Sequence, residues 1–401
     1  MAKELDKFFE NYLSKKPLFK NKKALQDQFT PENIPHRDEQ IEQMAGILAP
    51  ALRSEKPSNI FCYGKTGSGK TVVAKYVADQ IMETAERRGI PLEIVYLNCK
   101  MKRVADTEYR VISQLCNTFG KAVPATGLPT DEVYKSFVNI LEEKHKLIIL
   151  VLDEIDQLVE KAGDGILYNL TRLNSELKNS QISIIGISND LLFVDNIDPR
   201  VKSSLSEEEL VFPPYNALQL QDILKERVKL AFRLGVLEEG VVEKCAAYAA
   251  REHGDARRAL ELLRVSGEVA ERKNKTRIDI KHLDEAEEKI ERDRIVDIIT
   301  TQPKQSQLTL HSIFSLNFNG NKGLFTGDVY DIYKNNCSKC GLKPLTQRRV
   351  SDIIAELDML GIINAKVISK GRYGRTREIS LAIPESSVNE VKEILLDSLN
   401  L

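Results

Sequence analysis

Short apolar runs punctuate the first half of the chain. "NIFCY", "LEIVYLNC", "LIILVLDEID" and "ISIIGISND" are nearly continuous in apolar residues, and helical patterns separate them. Such runs suit strands buried on both faces, so residues 58–211 are predicted to form a parallel sheet covered by helices. The pattern changes after Pro213 and Pro214. Apolar residues then recur at three- and four-residue spacing: Leu218, Ile223, Leu224 and Val228, then Val241, Cys245 and Ala249, then Leu260, Leu263 and Val265. That periodicity predicts an all-helical second domain over 215–300. A polar segment at 300–307, "TTQPKQSQ", is predicted to be a linker. Beyond it, "LTLHSIFSLNF", "FTGDVYDIYKNNC" and "TQRRVSDIIAELDMLG" read as helices, and "INAKVISK" and "TREISLAI" as strands joined by "GRYGR". Three helices and a β-hairpin predict a winged helix-turn-helix over 301–401. The first domain is assigned to 1–214.

Composition narrows the setting more than the chemistry. The 401 residues carry a net charge of −1, so any nucleic-acid surface must be local. The six scattered cysteines read as free thiols in a reducing compartment. The first residues, "MAKELDKFFENYLSKK", lack an apolar leader, and no apolar run is long enough to span a bilayer. A cytoplasmic, nucleoid-associated protein without membrane contact is expected.

One segment carries explicit chemistry. Gly64-Lys65-Thr66-Gly67-Ser68-Gly69-Lys70-Thr71 fits the phosphate-binding pattern and sits between a predicted strand and a predicted helix. Its glycines let backbone N–H groups face phosphate oxygens. Lys70 would neutralise the β and γ phosphates of ATP, and Thr71 would ligate Mg²⁺. Asp153 and Glu154 end a fully apolar strand: the first suits Mg²⁺, the second orients and deprotonates water. Asp156 reads as a helix cap. Asn189, at the end of another strand, suits a contact with the attacking water or the γ-phosphate. Arg200 follows a proline turn, where an arginine directed at a neighbouring molecule's nucleotide would sit. In "GDARRALELLR", Arg257 lies in a first helical turn within reach of phosphates, whereas Arg258 reads as a surface residue.

Together these motifs resemble an AAA+ ATPase, α/β in class. "ENIPHRDEQIEQM", "DPRVKSSL", "FPPYNALQL" and "GDARRAL", with the winged helix, narrow the resemblance to archaeal replication initiators related to the origin recognition complex and cell division control protein six. The resemblance implies ATP/ADP as cofactor, with Ile34, Pro35 and His36 on one side of the adenine and Tyr215 and Arg227 on the other. It also implies a slow ATPase acting as a switch, with sensor roles for Asn189 and Arg257 and a finger role for Arg200. Expected partners are double-stranded origin DNA, the replicative helicase and paralogous initiators side by side on DNA. An initiator-specific helical insertion is implied at about 106–140, with Lys121 and the "PATGLPT" loop on the DNA backbone.

The residues of the third unit suit DNA independently. Thr346 is a candidate N-cap, and Gln347, Arg348 and Arg349 crowd the start of the third helix, where a major-groove reader needs them. Lys370, Arg372, Tyr373 and Arg375 form a basic hairpin tip suited to the minor groove. "CSKC", Cys337–Cys340, has zinc-ligand spacing without a second pair and reads as a thiol pair at a helix end. Two other functions remain open at this stage. One is a transcription regulator built from the same parts; the other is a branch-migration motor, which the "DPRVKSSL" and lid motifs disfavour.

Overall fold

The computed structural model describes residues 16–26, 29–100, 107–124, 126–205, 207–318, 324–369, 375–399 and 401. It divides into two compact units, 1–283 and 284–401. The first is built on a five-stranded parallel sheet in the order β2-β3-β4-β1-β5: β1 Ile60–Tyr63, β2 Leu92–Asn98, β3 Leu147–Asp153, β4 Gln181–Ser188 and β5 Glu208–Val211. All seven residues of β3 are buried. Its side chains alternate between two cores: Ile148, Leu150 and Leu152 enter one, Ile149 and Val151 the other. Both faces are therefore covered, which explains the unbroken apolar runs. The fifth strand escapes this rule. In "EELV" only Leu210 is buried, because β5 is an edge strand paired on one side to β1.

Helix α1, Asp38–Leu48, precedes the sheet, and α2, Lys70–Arg88, follows β1 and stops at Gly89, which takes φ 65°. Between β2 and β3 lie α3, Glu108–Thr118, and α4, Thr130–Lys144, at the place where an insertion is expected. Thr107 caps α3 by accepting from the Arg110 N–H, and Val111, Ile112, Leu115, Val133, Phe137 and Ile140 seal the pair onto the sheet. Beyond β3 and β4, α5 (Ile155–Ala162), α6 (Gly165–Arg172), α7 (Phe193–Asn196) and α8 (Pro199–Leu205) cover the same face.

Three helices form the lid: α9 Ala217–Ala231, α10 Val241–Arg251 and α11 Ala256–Arg272. A reciprocal box between Asn216 and Gln219 starts α9. The buried stripe of α9 is Leu220, Leu224, Arg227 and Ala231; Leu218, expected inside, is 70% exposed because it lies on the opposite face. The chain from Leu18 to Leu25 is strapped to the lid. Phe19 stacks on Phe232 at 4.7 Å and passes Gly267 so closely that a Cβ there would meet its ring at 2.5 Å.

Helix α12, Ile280–Thr301, leads to the second unit. The expected linker is much shorter than its polarity suggested: α12 reaches Thr301 and α13, Lys304–Phe318, begins three residues later. Thr300 and Thr301 stay helical, with their hydroxyls donating back to the Val296 and Asp297 carbonyls at 3.0 and 2.9 Å. Pro303 needs no donor at a helix start, and its carbonyl accepts from Ser306 N–H at 2.9 Å. Then follow α14, Thr326–Lys339, and α15, Gln347–Met359. A three-stranded antiparallel sheet orders β6 (Leu324–Phe325), β8 (Arg375–Leu381) and β7 (Ile363–Ser369). Two elements go beyond the sequence pattern: the two-residue β6, too short for periodicity, and α16, Glu385–Leu399, which buries Val391, Leu395 and Leu399 in the same core as α13–α15.

Candidate nucleotide site and winged-helix surface

The phosphate loop turns tightly at the tip of β1. Gly64 passes the Phe212 carbonyl so closely that a Cβ would lie 2.3 Å from it, and Gly67 and Gly69 adopt φ 71° and 94°. Lys65 and Thr66 are exposed at the loop's outer turn. Lys70, almost fully buried, donates from Nζ to the carbonyls of Gly64 and Lys65 at 2.7 and 2.9 Å. Burial, followed by the nearby Arg257 charge, lowers its pKa to about 8; Asp153 opposes the shift. Ser68 Oγ is the one buried side-chain oxygen among the described residues without a hydrogen-bond partner. An orphaned hydroxyl buried in this glycine-rich turn fits an anionic oxygen.

Asp153 ends β3 beside this loop. Its Oδ2 accepts from Thr71 Oγ1 at 3.0 Å and from the Tyr96 hydroxyl of β2, and its Oδ1 accepts from Glu154 N–H at 3.0 Å. Adjacent ligands in a Mg²⁺ octahedron with ~2.1 Å bonds lie about 3 Å apart, so Thr71 and Asp153 fit this hard, oxygen-seeking ion. Glu154 takes the left-handed conformation, φ 57°, and pairs weakly with Lys100 at 3.4 Å. Asp156, expected to cap α5, lies inside its first turn instead, and the N-cap position falls to Glu154. Asp156 accepts from Ser188 Oγ at 3.0 Å and from Asn189 N–H at 3.4 Å, fixing the end of β4.

The loop, the carboxylates and the lid enclose a cavity of about 660 Å³. Its walls bring together Ile34, Pro35, Gly67, Gly69, Lys70, Thr71, Asp153, Glu154, Asn189, Tyr215, Arg227 and Arg257. Arg227 is buried along the lid wall, donating to the Ala24 carbonyl at 3.3 Å and lying over the Phe29 ring at 4.8 Å. Asp255 caps α11 by accepting from Arg257 N–H at 2.8 Å, and Ala256 N–H donates to the Gly67 carbonyl at 3.3 Å. Lid and loop thus touch directly.

Of the expected residues, Gly64, Lys65, Thr66 and Ser68 of the loop do not line this wall, and neither do His36 and Arg200. His36 Nε2 is 3.0 Å from Asp222 on α9. Arg200 forks onto Asp198 at 3.0 and 2.8 Å and reaches the Tyr168 ring. Those bonds from Arg200 hold the Asp198 carboxyl down at about 2. Arg258 differs from its surface reading: it is largely buried and donates to Glu252 at 3.0 Å. Arg37, which the sequence reading passed over, is only 2% exposed. It donates to the Ser68, His36 and Pro213 carbonyls at 2.9, 2.8 and 2.5 Å and lies over the Tyr215 ring at 3.8 Å. An arginine next to a helix start reads locally as an exposed charge, and nothing in its neighbours signals otherwise.

In the second unit, Thr346 caps α15 as expected, and Gln347, Arg348 and Arg349 are exposed on its first turn. Arg349 leans down its own helix to Glu356, 3.4 Å away. Arg377 ties β8 to α15, donating to the Ser351 hydroxyl at 3.2 Å. Lys370, Arg372 and Tyr373 lie outside the described residues; Arg375 begins β8, and its side chain lies outside them too. In the first unit, Lys121 is exposed just beyond α3. Cys337 is buried and Cys340 ends α14; among the described residues no group of three or more His, Cys, Asp and Glu gathers to hold a metal. No described helix is long and apolar enough to cross a membrane.

Comparison with known families agrees with each part of this architecture. Residues 53–194 match an AAA domain, 221–288 the Cdc6 AAA+ ATPase-type lid domain, and 297–391 the CDC6 C-terminal winged helix domain. The class is therefore an AAA+ module with a Cdc6-type lid and winged helix. The chain is 54% identical over 391 residues to an ORC1-type DNA replication protein of Thermococcus onnurineus, covering 96% of this chain and 94% of that one. It is 51% identical over 385 residues to ORC1-type DNA replication protein 1 of Archaeoglobus fulgidus, covering 96% and 93%. The chain belongs to the ORC1-type DNA replication proteins. The Aeropyrum pernix ORC1 protein, solved in complex with DNA, superposes with a TM-score of 0.84 at 46% identity, covering 96% of this chain and 98% of that one.

Proposed function

We propose that this protein is a replication initiator that binds origin DNA sequence-specifically through its winged helix, under control of bound ATP or ADP. The observation that carries the reading is the single cavity on which the phosphate loop, Asp153 with Glu154, Asn189 and the lid residues Tyr215, Arg227 and Arg257 converge. The loop amides and Lys70 bind the phosphates, and Ile34, Pro35, Tyr215 and Arg227 bracket the base. Thr71 and Asp153 would hold Mg²⁺, which would supply positive charge against the phosphates. Glu154 orients and deprotonates water, while Asn189, held by Asp156, faces the γ-phosphate position. Because lid and loop touch, the nucleotide present sets the lid's position, and hence the contacts offered to DNA and to partners. Hydrolysis is slow because Arg200, bound to Asp198 away from the cavity, serves a neighbouring molecule's site.

On DNA, Gln347, Arg348 and Arg349 read the major groove. Lys370, Arg372, Tyr373 and Arg375 grip the minor groove, and Lys121 touches the backbone. Distortion of the duplex and recruitment of the replicative helicase follow, with paralogous initiators alongside. Genome-wide mapping of bound sites tests this role: clusters at origins are expected, whereas clusters confined to promoters would favour a transcription regulator on the same scaffold.

A further inference from the structure

Arg37 occupies an unusual position for a cation. Its guanidinium is buried, yet its described partners are three carbonyl oxygens, the Tyr215 ring and, farther off at 6.0 Å, the Phe212 ring, with no carboxylate among them. Burial accordingly lowers its pKa. Burying a charge on such partners is expensive, and an apolar residue would fill the same space at lower cost. What the guanidinium alone provides is a planar fork with several donors that also stacks on a ring.

The three carbonyls belong to three different parts of the first unit. Ser68 lies in the phosphate loop, His36 in the segment leading from the cavity wall, and Pro213 in the hinge before the lid. The stacked ring, Tyr215, is the residue from which the lid departs. Tyr215 in turn closes on the loop: a Cβ on Gly69 would lie 2.7 Å from its hydroxyl and 3.5 Å from Arg37 Nε. The bond from Arg37 to the Ser68 carbonyl also places a fixed positive charge beside the loop.

We propose that Arg37 is a positioning residue that couples the phosphate loop to the lid hinge, so that filling of the cradle is transmitted to the lid through one guanidinium. The proposal rests on the nucleotide reading above. Amide hydrogen exchange tests it in two segments, the loop (63–73) and the hinge (212–218), with and without saturating ADP, in the wild type and Arg37→Lys. Lysine keeps the charge but cannot fork or stack.

In the wild type, ADP is expected to slow exchange in both segments. In Arg37→Lys it should still slow the loop, while slowing at the hinge falls by about fivefold or more. Hinge slowing equal to wild type in the lysine variant overturns the proposal, since a charge without the fork would then suffice. Should Arg37→Lys fail to fold, Tyr215→Leu, which removes the stacked ring but no carbonyl bond, is read the same way. If ADP protects neither segment of the wild type, the nucleotide reading fails, but the ADP-free comparison still decides on Arg37. Faster exchange in both segments of the lysine variant supports the clamp, and faster exchange in neither overturns it.

Discussion

Gly67 is where the loop and the lid press together, and Gly67→Ala should damage both. At φ 71° an alanine sits in the left-handed region, which costs roughly 1–2 kcal/mol. Its Cβ would also lie 1.7 Å from Asp255 Oδ1 and 2.9 Å from Asp255 Cα. Asp255 must therefore turn away, releasing the N–H groups of Arg257 and Arg258 that it caps at 2.8 and 3.3 Å. Loss of such a cap costs about 1 kcal/mol. The sum, about 2–3 kcal/mol, should appear in denaturant unfolding followed by circular dichroism as a lower midpoint at unchanged slope. Asp255→Gly loses the cap but only a few tenths of a kcal/mol, since glycine is tolerated there. The double variant removes the clashing carboxylate, so it should be less destabilised than the two single changes summed. Strict additivity, or a Gly67→Ala protein as stable as the wild type, would show that the lid does not rest on the loop.

Other consequences are as direct. Lys70 has its pKa lowered to about 8, and bound phosphate should raise it, so ADP binding takes up a proton above that value. Affinity should then be flat below pH 8 and fall by up to about tenfold per unit above it, in calorimetric titrations; Lys70→Arg, charged throughout, should lose the slope. Glu154→Gly relieves the left-handed strain of a non-glycine residue and should stabilise by up to about 1 kcal/mol in thermal melts, while single-turnover hydrolysis drops and nucleotide binding persists. Unchanged hydrolysis would remove Glu154 from its assigned role. Arg200→Ala breaks an exposed pair and a surface contact with the Tyr168 ring, so Tm should change little and nucleotide affinity should hold while turnover falls only where molecules assemble. Arg348→Ala should reduce discrimination between target and random duplex, whereas Arg372→Ala with Arg375→Ala should weaken both and lower the slope of log affinity against log salt by roughly 2.

The parts of this molecule that sequence reveals are those with a strong local cause. The three inner strands announce themselves because burial on both faces demands continuous apolar residues, β2 does so by its apolar run although it is an edge strand with only three buried residues, and the phosphate loop does so because its backbone demands glycine at fixed spacing. β5 stays hidden because an edge strand needs one buried leucine, not four. The buried face of α9 is misjudged at Leu218 because apolar identity does not say which face a neighbouring helix covers. Arg37 and Arg258 fail for a related reason: Arg37 is bonded by residues distant in sequence and Arg258 by Glu252 at the end of the preceding helix, and a charged residue carries no local mark of that fate. Asp156 is legible as a helix-start residue but not as the anchor of Asn189, since that contact crosses from one strand end to another.

The proposed control of DNA binding by the nucleotide is tested most directly by an anisotropy titration of a labelled duplex carrying a mapped binding site. The protein is loaded either with Mg²⁺ and ADP or with Mg²⁺ and a non-hydrolysable ATP analogue, for the wild type and for Lys70→Ala. Wild-type affinities are expected to differ between the two states by about fivefold or more, and Lys70→Ala is expected to bind DNA but to be indifferent to which nucleotide is supplied. Wild-type affinity that is the same with ADP, with the analogue and with neither would contradict the proposed control.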